Sequence, residues 1–211
     1  MVNKTNLPVT VKTRIGYDEV EDYENLYNFV NLLKSTGVKT FIIHARKAML
    51  GKFTPKQNLN IPPLKYEMVY KLKKDFKNLE IIINGGIAST YEILNHLEKV
   101  DGVMIGRSVY HSPYLLAQIE KEIFNNNIIS TREEIIKKLF LYVKNEIKKG
   151  TRLNQIMRHT LGLYHGQRGS SFWKRYLSEN MCVRNADIQK IDHIMDKAKL
   201  TQNIFSAGQI D

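Results

Sequence analysis

Residues 80–92, EIIINGGIASTYE, decide the fold class of this 211-residue chain. The β-branched run over 80–84 predicts a buried strand, and the glycine pair that follows predicts a tight turn. Ser89 and Glu92 have the spacing of a capping box, which predicts that a helix begins there. A continuously apolar strand followed directly by a helix is typical of a parallel sheet covered by helices, so we predict an α/β fold.

The same strand, turn and helix pattern occurs four times in residues 1–115. We predict strands over 9–13, 40–44, 80–84 and 102–105, with a long basic loop over 45–63 after the second strand. A doubly wound sheet and a barrel both fit this alternation. Polar residues at or just beyond the C-terminal ends of the strands favour the barrel, because the active site of a (β/α)8 barrel lies at the C-terminal ends of its strands. These residues are Lys12, His44, Asn84 and Arg107. A closed barrel needs eight units and typically about 250 residues, and only four units are found here.

From Thr131 onward the apolar periodicity is helical. A second capping box, Thr131 to Glu134, begins one helix, and further helices are predicted over about 152–163, 171–179 and 186–199. We therefore predict two domains, a partial TIM barrel over 1–120 and an all-α helical bundle over 121–211.

The charge balance favours a polyanionic partner. The chain has 32 Lys and Arg against 21 Asp and Glu, a net charge of +11. Residues 148–184 concentrate this charge, with Glu179 as their only acid. The longest apolar run, over 139–143, is far too short to span a bilayer, so we expect a cytoplasmic protein without membrane contact. The single cysteine, Cys182, excludes an intrachain disulfide and a thiolate metal cage, and no metal site is predicted.

Two glycine-containing turns are candidate phosphate sites. They are Asn84-Gly85-Gly86 and Gly106-Arg107, in which backbone N–H groups and a guanidinium could meet an anion. The alternative is that the glycines only make tight turns between strand and helix. Lys12 and His44 are candidate ligand contacts, because a lysine at the end of a buried strand is costly unless it meets an anion or an acceptor.

The basic segment near the C-terminus is a candidate nucleic-acid surface. Its aromatic residues, among them Tyr164 and Trp173, are interpreted as the core of the helical bundle. Its arginines are instead interpreted as phosphate contacts, since guanidinium groups bind phosphates with defined geometry; they are Arg152, Arg158, Arg168, Arg175 and Arg184.

Several motifs in one order closely resemble the tRNA-dihydrouridine synthases, specifically the A type. The resemblance runs from about Val9 to Asn180 and rests on VTVKTRIG (9–16), HARKA (44–48), PKQN (55–58), IPPL (61–64), INGGI (83–87), DGVMIGR (101–107), RLN (152–154), RH (158–159), LGL (161–163) and RYLSEN (175–180).

The resemblance implies an FMN-binding (β/α)8 barrel followed by a helical tRNA-binding domain. It implies that Lys12 and His44 lie near the flavin ring, and that Asn84, Gly85, Gly86, Gly106 and Arg107 surround its phosphate. NADPH would reduce the flavin, which would then reduce a D-loop uridine of tRNA, at position 20 or 20a, to 5,6-dihydrouridine. The residues expected to contact the RNA are Arg46, Lys47, Lys56, Arg152, Asn154, Arg158, His159, Arg168, Lys174 and Arg175.

One departure from the family pattern concerns the proton donor. The family uses a cysteine that precedes the segment matching Val9, and this sequence has no cysteine there; Cys182 matches no such motif. No catalytic residue is therefore assigned within the chain. The four units correspond to the last four of the barrel, and we expect the 211-residue polypeptide alone to be inactive and to pair with a polypeptide that supplies the N-terminal half-barrel.

Two other functions remain open at this point. The chain could be an inactive tRNA-binding or flavin-binding remnant that lacks the proton-donor cysteine. A non-redox barrel that binds a sugar phosphate would also fit the two glycine turns, but it leaves the arginine-rich helices unexplained.

Overall fold

A computed structural model describes residues 1–182, and the chain divides into two compact units, which begin at Met1 and at Arg107. The first unit contains a four-stranded parallel sheet. Its strands are β1 (Thr10–Arg14), β2 (Thr40–His44), β3 (Glu80–Asn84) and β4 (Gly102–Met104). The predicted bounds of β2 and β3 are confirmed, and those of β1 and β4 differ by one residue at the ends.

The strands follow one another in the sheet in the order β1-β2-β3-β4. A doubly wound sheet reverses its order at a switch point, whereas a (β/α)8 barrel adds each strand beside the previous one. The α/β fold class is therefore confirmed, and the sequential order is that of a partial TIM barrel.

The two faces of the sheet are buried to different degrees. Phe41, Ile43, Ile81 and Ile83 are completely buried, and they share one face because side chains alternate along a strand. Ile42 and Ile82 point to the opposite face and are only half-buried. Crossovers of one hand between sequential strands place all the connecting helices on the same face. The helices thus cover one face and leave the other partly exposed.

Helices α1 (Tyr23–Ser35), α2 (Pro55–Asn58), α3 (Tyr66–Asp75) and α4 (Thr90–Leu97) belong to this first unit. Asp22 caps α1 by accepting a hydrogen bond from the Asn25 N–H, and Ser89 caps α4 in the capping box predicted with Glu92. Leu26 and Val30 of α1 are buried.

Helices make up the described part of the second unit. They are α5 (Arg107–His111), α6 (Leu115–Glu122), α7 (Arg132–Lys148), α8 (Leu153–Met157) and α9 (Ser170–Asn180). Their core includes Phe140, Met157, Tyr164, Trp173 and Leu177, so the interpretation of Tyr164 and Trp173 as core residues is confirmed. The helix predicted over 186–199 lies outside the described residues, as does Arg184.

The predicted helix over 152–163 is too long. Helix α8 ends at Met157 and a single 3-10 turn, Arg158–Thr160, follows it. The turn that comes next contains Gly162, which packs closely against the end of α5: a Cβ at Gly162 would lie 2.0 Å from the His111 carbonyl oxygen.

The unit boundary lies earlier than the domain boundary predicted after residue 120. Tyr114 packs against the helical core, and its hydroxyl donates to the Ser130 carbonyl at 3.3 Å. The segment from Arg107 to the end of α6 thereby belongs with the later helices.

No helix within residues 1–182 combines the length and apolar character needed to cross a membrane. The cytoplasmic location expected from the sequence stays a prediction.

The core of the second unit provides a test of this packing. We expect Leu177→Ala to lower the free energy of unfolding by roughly 2–5 kcal/mol, because it opens a cavity at a completely buried position. The same substitution at the exposed Leu141 of α7 should change it by less than about 0.5 kcal/mol. Urea unfolding followed by the fluorescence of Trp173, the only tryptophan, measures both variants. Equal effects would contradict the assignment of Leu177 to the core.

Candidate functional site

The carboxyl ends of the strands bring the predicted site residues of the first unit together. Arg14, His44, Asn84 and Met104 stand side by side in the strand register. Lys12 lies two residues before Arg14, so its side chain emerges on the same, half-buried face of the sheet. Lys12, His44 and Asn84 therefore share one edge and one face, as the barrel interpretation requires.

A hydrogen bond connects the two outer members of this group. The Lys12 ammonium donates from Nζ to Asn84 Oδ1 at 3.1 Å. The Asn84 amide group donates in turn from Nδ2 to the Met104 carbonyl at 2.7 Å. Asn84 thus fixes the end of the Lys12 side chain and connects it to the last strand of the sheet.

Positive charge accumulates at this edge. Partial burial lowers the pKa of Lys12, and the nearby charge of Arg14 lowers it further. Burial and the charge of Arg46 likewise hold the pKa of Arg14 below its usual range. Each positive charge repels the neighbouring positive charges and so makes their protonation less favourable. A bound anion would offset this repulsion. The edge is therefore electrostatically suited to an anionic ligand.

Arg14 is a residue that sequence reasoning did not single out. Its guanidinium donates from one nitrogen to the Lys47 carbonyl at 2.8 Å and the Asn58 carbonyl at 3.0 Å, which anchors the long loop over 45–63. The sequence feature that could have identified Arg14 is its position at the end of the first strand, which places it opposite His44 in the strand register.

The turn after β3 requires glycine at two positions. Gly85 and Gly86 have φ values of +122° and +73°, which L side chains rarely adopt. A Cβ on Gly85 would lie 2.7 Å from His44 Cδ2, and one on Gly86 would lie 2.6 Å from Leu64 Cδ1. The tight-turn interpretation is therefore correct for this pair, and its contact with phosphate stays a prediction. Gly85 is buried in the turn, whereas Gly86 is exposed.

Gly106 is under no such constraint. Its φ is not left-handed, and a Cβ on it would have no atom of residues 1–182 as a neighbour within 4 Å. The described part of the chain therefore leaves open space at Gly106, where a ligand could approach the backbone. Arg107 follows it as the exposed first residue of α5.

The predicted RNA contacts in the loop over 45–63 are already engaged in part. Arg46 donates to the Asn60 carbonyl at 2.9 Å and to the Pro62 carbonyl. Lys47 forms an ion pair with Glu21, N to O 3.1 Å. Lys56 is exposed on α2. Contact of these three residues with RNA stays a prediction.

The basic residues of the second unit lie at its surface. Arg152, Arg158, Arg168, Lys174 and Arg175 are all exposed, and Asn154 is half-buried. Within residues 1–182, Arg152, Arg158, Lys174 and Arg175 form no ion pair with a carboxylate. Their charges are therefore available to a polyanion.

Arg158 and His159 form a small polar group with Tyr110. Arg158 Nε donates to His159 Nε2 at 3.1 Å, and the Tyr110 hydroxyl lies 3.1 Å from His159 Nδ1. Because a guanidinium can only donate, His159 Nε2 is the acceptor and the ring proton lies on Nδ1, facing the tyrosine. The imidazole is thereby held in one orientation at the surface.

Within residues 1–182, no group of three or more His, Cys, Asp or Glu side chains is arranged to hold a metal ion. Cys182 is exposed at the end of the described region.

Comparison with known proteins identifies one family. The sequence profile of the family described as Dihydrouridine synthase (Dus) matches residues 1–199. The chain is 46% identical over 187 residues to a protein of Synechocystis sp., covering 88% of this chain and 56% of that protein. It is 44% identical to a protein of Escherichia coli K12 (92% of this chain, 57% of that protein) and 42% identical to one of Vibrio parahaemolyticus (97% and 63%). All three relatives are named tRNA-dihydrouridine(20/20a) synthase. The chain therefore spans little more than half the length of these relatives.

The contrast between the glycines gives a second prediction. Gly85→Ala should lower the free energy of unfolding by roughly 2–5 kcal/mol, because the side chain meets both a left-handed backbone and a steric clash. Gly106→Ala should change it by less than about 0.5 kcal/mol, since it fills open space. Urea unfolding followed by far-UV circular dichroism compares the two. A tolerated Gly85→Ala would show that the turn is not held as described.

Proposed function

The chain belongs to the dihydrouridine synthase family, and we propose that it forms the flavin-phosphate and tRNA-binding part of an FMN-dependent tRNA-dihydrouridine synthase. The observation that carries this proposal is the hydrogen bond from Lys12 to Asn84, directly before the Gly85-Gly86 turn. It joins a cation and a glycine turn at one edge of a parallel sheet, where such folds bind phosphorylated ligands.

The residues present fit the phosphate end of FMN. Gly86 is exposed, and its N–H donates no hydrogen bond to an acceptor in residues 1–182. Gly106 leaves room for an approaching group, and Arg107 follows it with a guanidinium suited to phosphate. These features support Gly86, Gly106 and Arg107 as phosphate-binding residues, with Gly85 allowing the tight turn that presents Gly86.

Bound FMN, once reduced by NADPH, would supply the hydride that reduces the C5–C6 double bond of a uridine. The residues of this chain would bind and orient. Lys12 would place its ammonium beside the flavin and stabilise negative charge there, with Asn84 Oδ1 holding Nζ in place. His44 is buried beside Gly85 and would form the wall of the site next to the glycine turn.

The exposed cations of the second unit support tRNA as the substrate. Phosphate contacts from arginine and lysine position an RNA without reading its sequence, and the target uridine must leave the base stack to be reduced. We assign this role to Arg152, Asn154, Arg158, His159, Arg168, Lys174 and Arg175, with Arg46, Lys47 and Lys56 from the first unit. Uridine 20 or 20a is the proposed target, because the relatives carry those positions in their names.

A polypeptide carrying the N-terminal half-barrel is the proposed partner of the first unit. Ile42 and Ile82 are only half-buried on the face opposite the helices, and within residues 1–182 β1 and β4 each pair with a single strand. Four further strands would cover that face, satisfy both edges and bring the proton-donor cysteine. By this proposal the 211-residue chain alone forms no dihydrouridine.

Complementation tests the whole proposal. The N-terminal part of the Synechocystis relative, ending where this chain begins to match, is fused to residues 1–211 and purified with FMN. The fusion, NADPH and unmodified tRNA should yield dihydrouridine at position 20 or 20a, detected by mass spectrometry of the digested RNA. The same fusion with Lys12→Met should lose most of this activity, whereas Lys4→Met, an exposed lysine in the same unit, should keep it.

The other outcomes separate the alternatives. Binding of FMN and tRNA without any dihydrouridine in the fusion would favour the inactive remnant. Dihydrouridine made by residues 1–211 alone would contradict the need for a partner. A fusion that binds a phosphorylated sugar but no flavin would favour the non-redox barrel.

The tRNA surface gives its own prediction. Arg158→Ala should weaken tRNA binding several-fold and make the affinity less dependent on salt, because one fewer phosphate contact releases fewer counterions. Lys138→Ala removes the same charge from an exposed position on α7 outside the proposed surface and should change neither quantity. Filter binding at several salt concentrations measures both. Unchanged affinity and slope in Arg158→Ala would remove Arg158 from the RNA surface.

A further inference from the structure

The glycine turn after β3 is held from the helix side by a tyrosine. Tyr66, the first residue of α3, donates from its hydroxyl to the Gly85 carbonyl at 2.8 Å. This carbonyl belongs to the peptide that joins Gly85 to Gly86. The hydrogen bond therefore fixes the orientation of the peptide plane between the two glycines.

Fixing this carbonyl also fixes the next N–H. In a trans peptide the C=O and N–H of one plane point in opposite directions, so a Gly85 oxygen turned toward Tyr66 turns the Gly86 N–H away from it. Glycine on both sides gives the plane little steric resistance to rotation. The Tyr66 hydroxyl supplies the restraint that Cβ atoms would otherwise give.

Tyr66 is itself held in place. Its ring stands edge-on against the buried His96 with the centroids 4.6 Å apart, and His96 Nδ1 lies 2.7 Å from the Tyr70 hydroxyl. Leu64 packs against both glycines from a neighbouring position. Partial burial raises the pKa of Tyr66, so its hydroxyl stays protonated and able to donate.

We infer that Tyr66 is a positioning residue that keeps the Gly86 N–H directed at the phosphate of the bound flavin. This inference rests on the proposed function, since it needs the Gly85-Gly86 turn to bind the phosphate of FMN. Tyr66 touches neither flavin nor substrate by this assignment and acts only through the peptide between the two glycines.

The test compares FMN with riboflavin, which has the same ring system without the phosphate. Dissociation constants are measured by quenching of flavin fluorescence in the full 211-residue chain and in Tyr66→Phe, which keeps the ring against His96. We expect Tyr66→Phe to weaken FMN binding about fivefold, the worth of one hydrogen bond, and to leave riboflavin binding unchanged.

Tyr23→Phe is the matched control. It removes a tyrosine hydroxyl of the first unit that donates to Asp75 rather than to the glycine turn. A general loss of stability would weaken the binding of both flavins alike, so the FMN-to-riboflavin affinity ratio of Tyr23→Phe should equal that of the wild type. The amide resonance of Gly86 without any ligand provides a second readout: it should shift and exchange faster with solvent in Tyr66→Phe only.

The experiment distinguishes failure of the phosphate site from failure of the role of Tyr66. A wild-type chain that binds FMN no more tightly than riboflavin would overturn the phosphate site, and the role of Tyr66 with it. A wild type that prefers FMN, with the same preference and the same Gly86 resonance in Tyr66→Phe, would overturn the role of Tyr66 alone and leave the phosphate site standing.

Discussion

A lysine side chain that crosses a whole strand of the sheet to reach an asparagine is the contact on which the site depends. β1 and β3 are separated by β2, so Lys12 must span two strand spacings of about 4.8 Å each. It can do so because the register places Asn84 two residues further along than Lys12, which suits a long side chain that leans along the strand. A different strand order would separate the two groups, so the order β1-β2-β3-β4 is a condition of the site as well as of the fold.

The cationic side chains at this edge of the sheet have different roles, because their hydrogen-bond acceptors differ. Arg14 donates to two carbonyls of the loop over 45–63 and thereby ties this loop to the sheet. Arg46, which is part of the loop, donates to the Asn60 carbonyl within it. Lys12 meets a neutral amide oxygen instead. An ammonium paired with an amide keeps its full charge, and the charge of Arg14 beside the exposed Lys12 repels it until an anion arrives. The electrostatic repulsion at the edge is thus part of what would favour an anionic cofactor over a neutral one.

The sequence predicted the parts of this structure that depend on local chemistry. β-branched runs set the bounds of β2 and β3, and the capping boxes at Ser89 and Thr131 set the beginnings of α4 and α7. The polar residues at the strand ends predicted that Lys12, His44 and Asn84 meet, because parallel strands end at one edge. Contacts between a side chain and a distant carbonyl could not be predicted, since a carbonyl is present at every residue and gives no sequence signal; those of Arg14 and Tyr66 are two examples. The close approach of Gly162 to the His111 carbonyl is another contact between distant residues that no local pattern indicates.

The two units hold their positive charge in ways that suit different ligands. In the first unit Arg14 and Arg46 are half-buried, and they and the exposed Lys12 are fixed by hydrogen bonds. Salt screens half-buried charges less than fully exposed ones. In the second unit the arginines and lysines are exposed and four of them lack a carboxylate partner within residues 1–182, so their attraction for a polyanion is long-ranged at low salt and weak beyond about 8 Å at physiological ionic strength. A small phosphorylated cofactor needs the first kind of site, because few contacts must hold it for many turnovers. A tRNA that must bind, present one base and leave needs the second kind, because many individually weak phosphate contacts permit fast release.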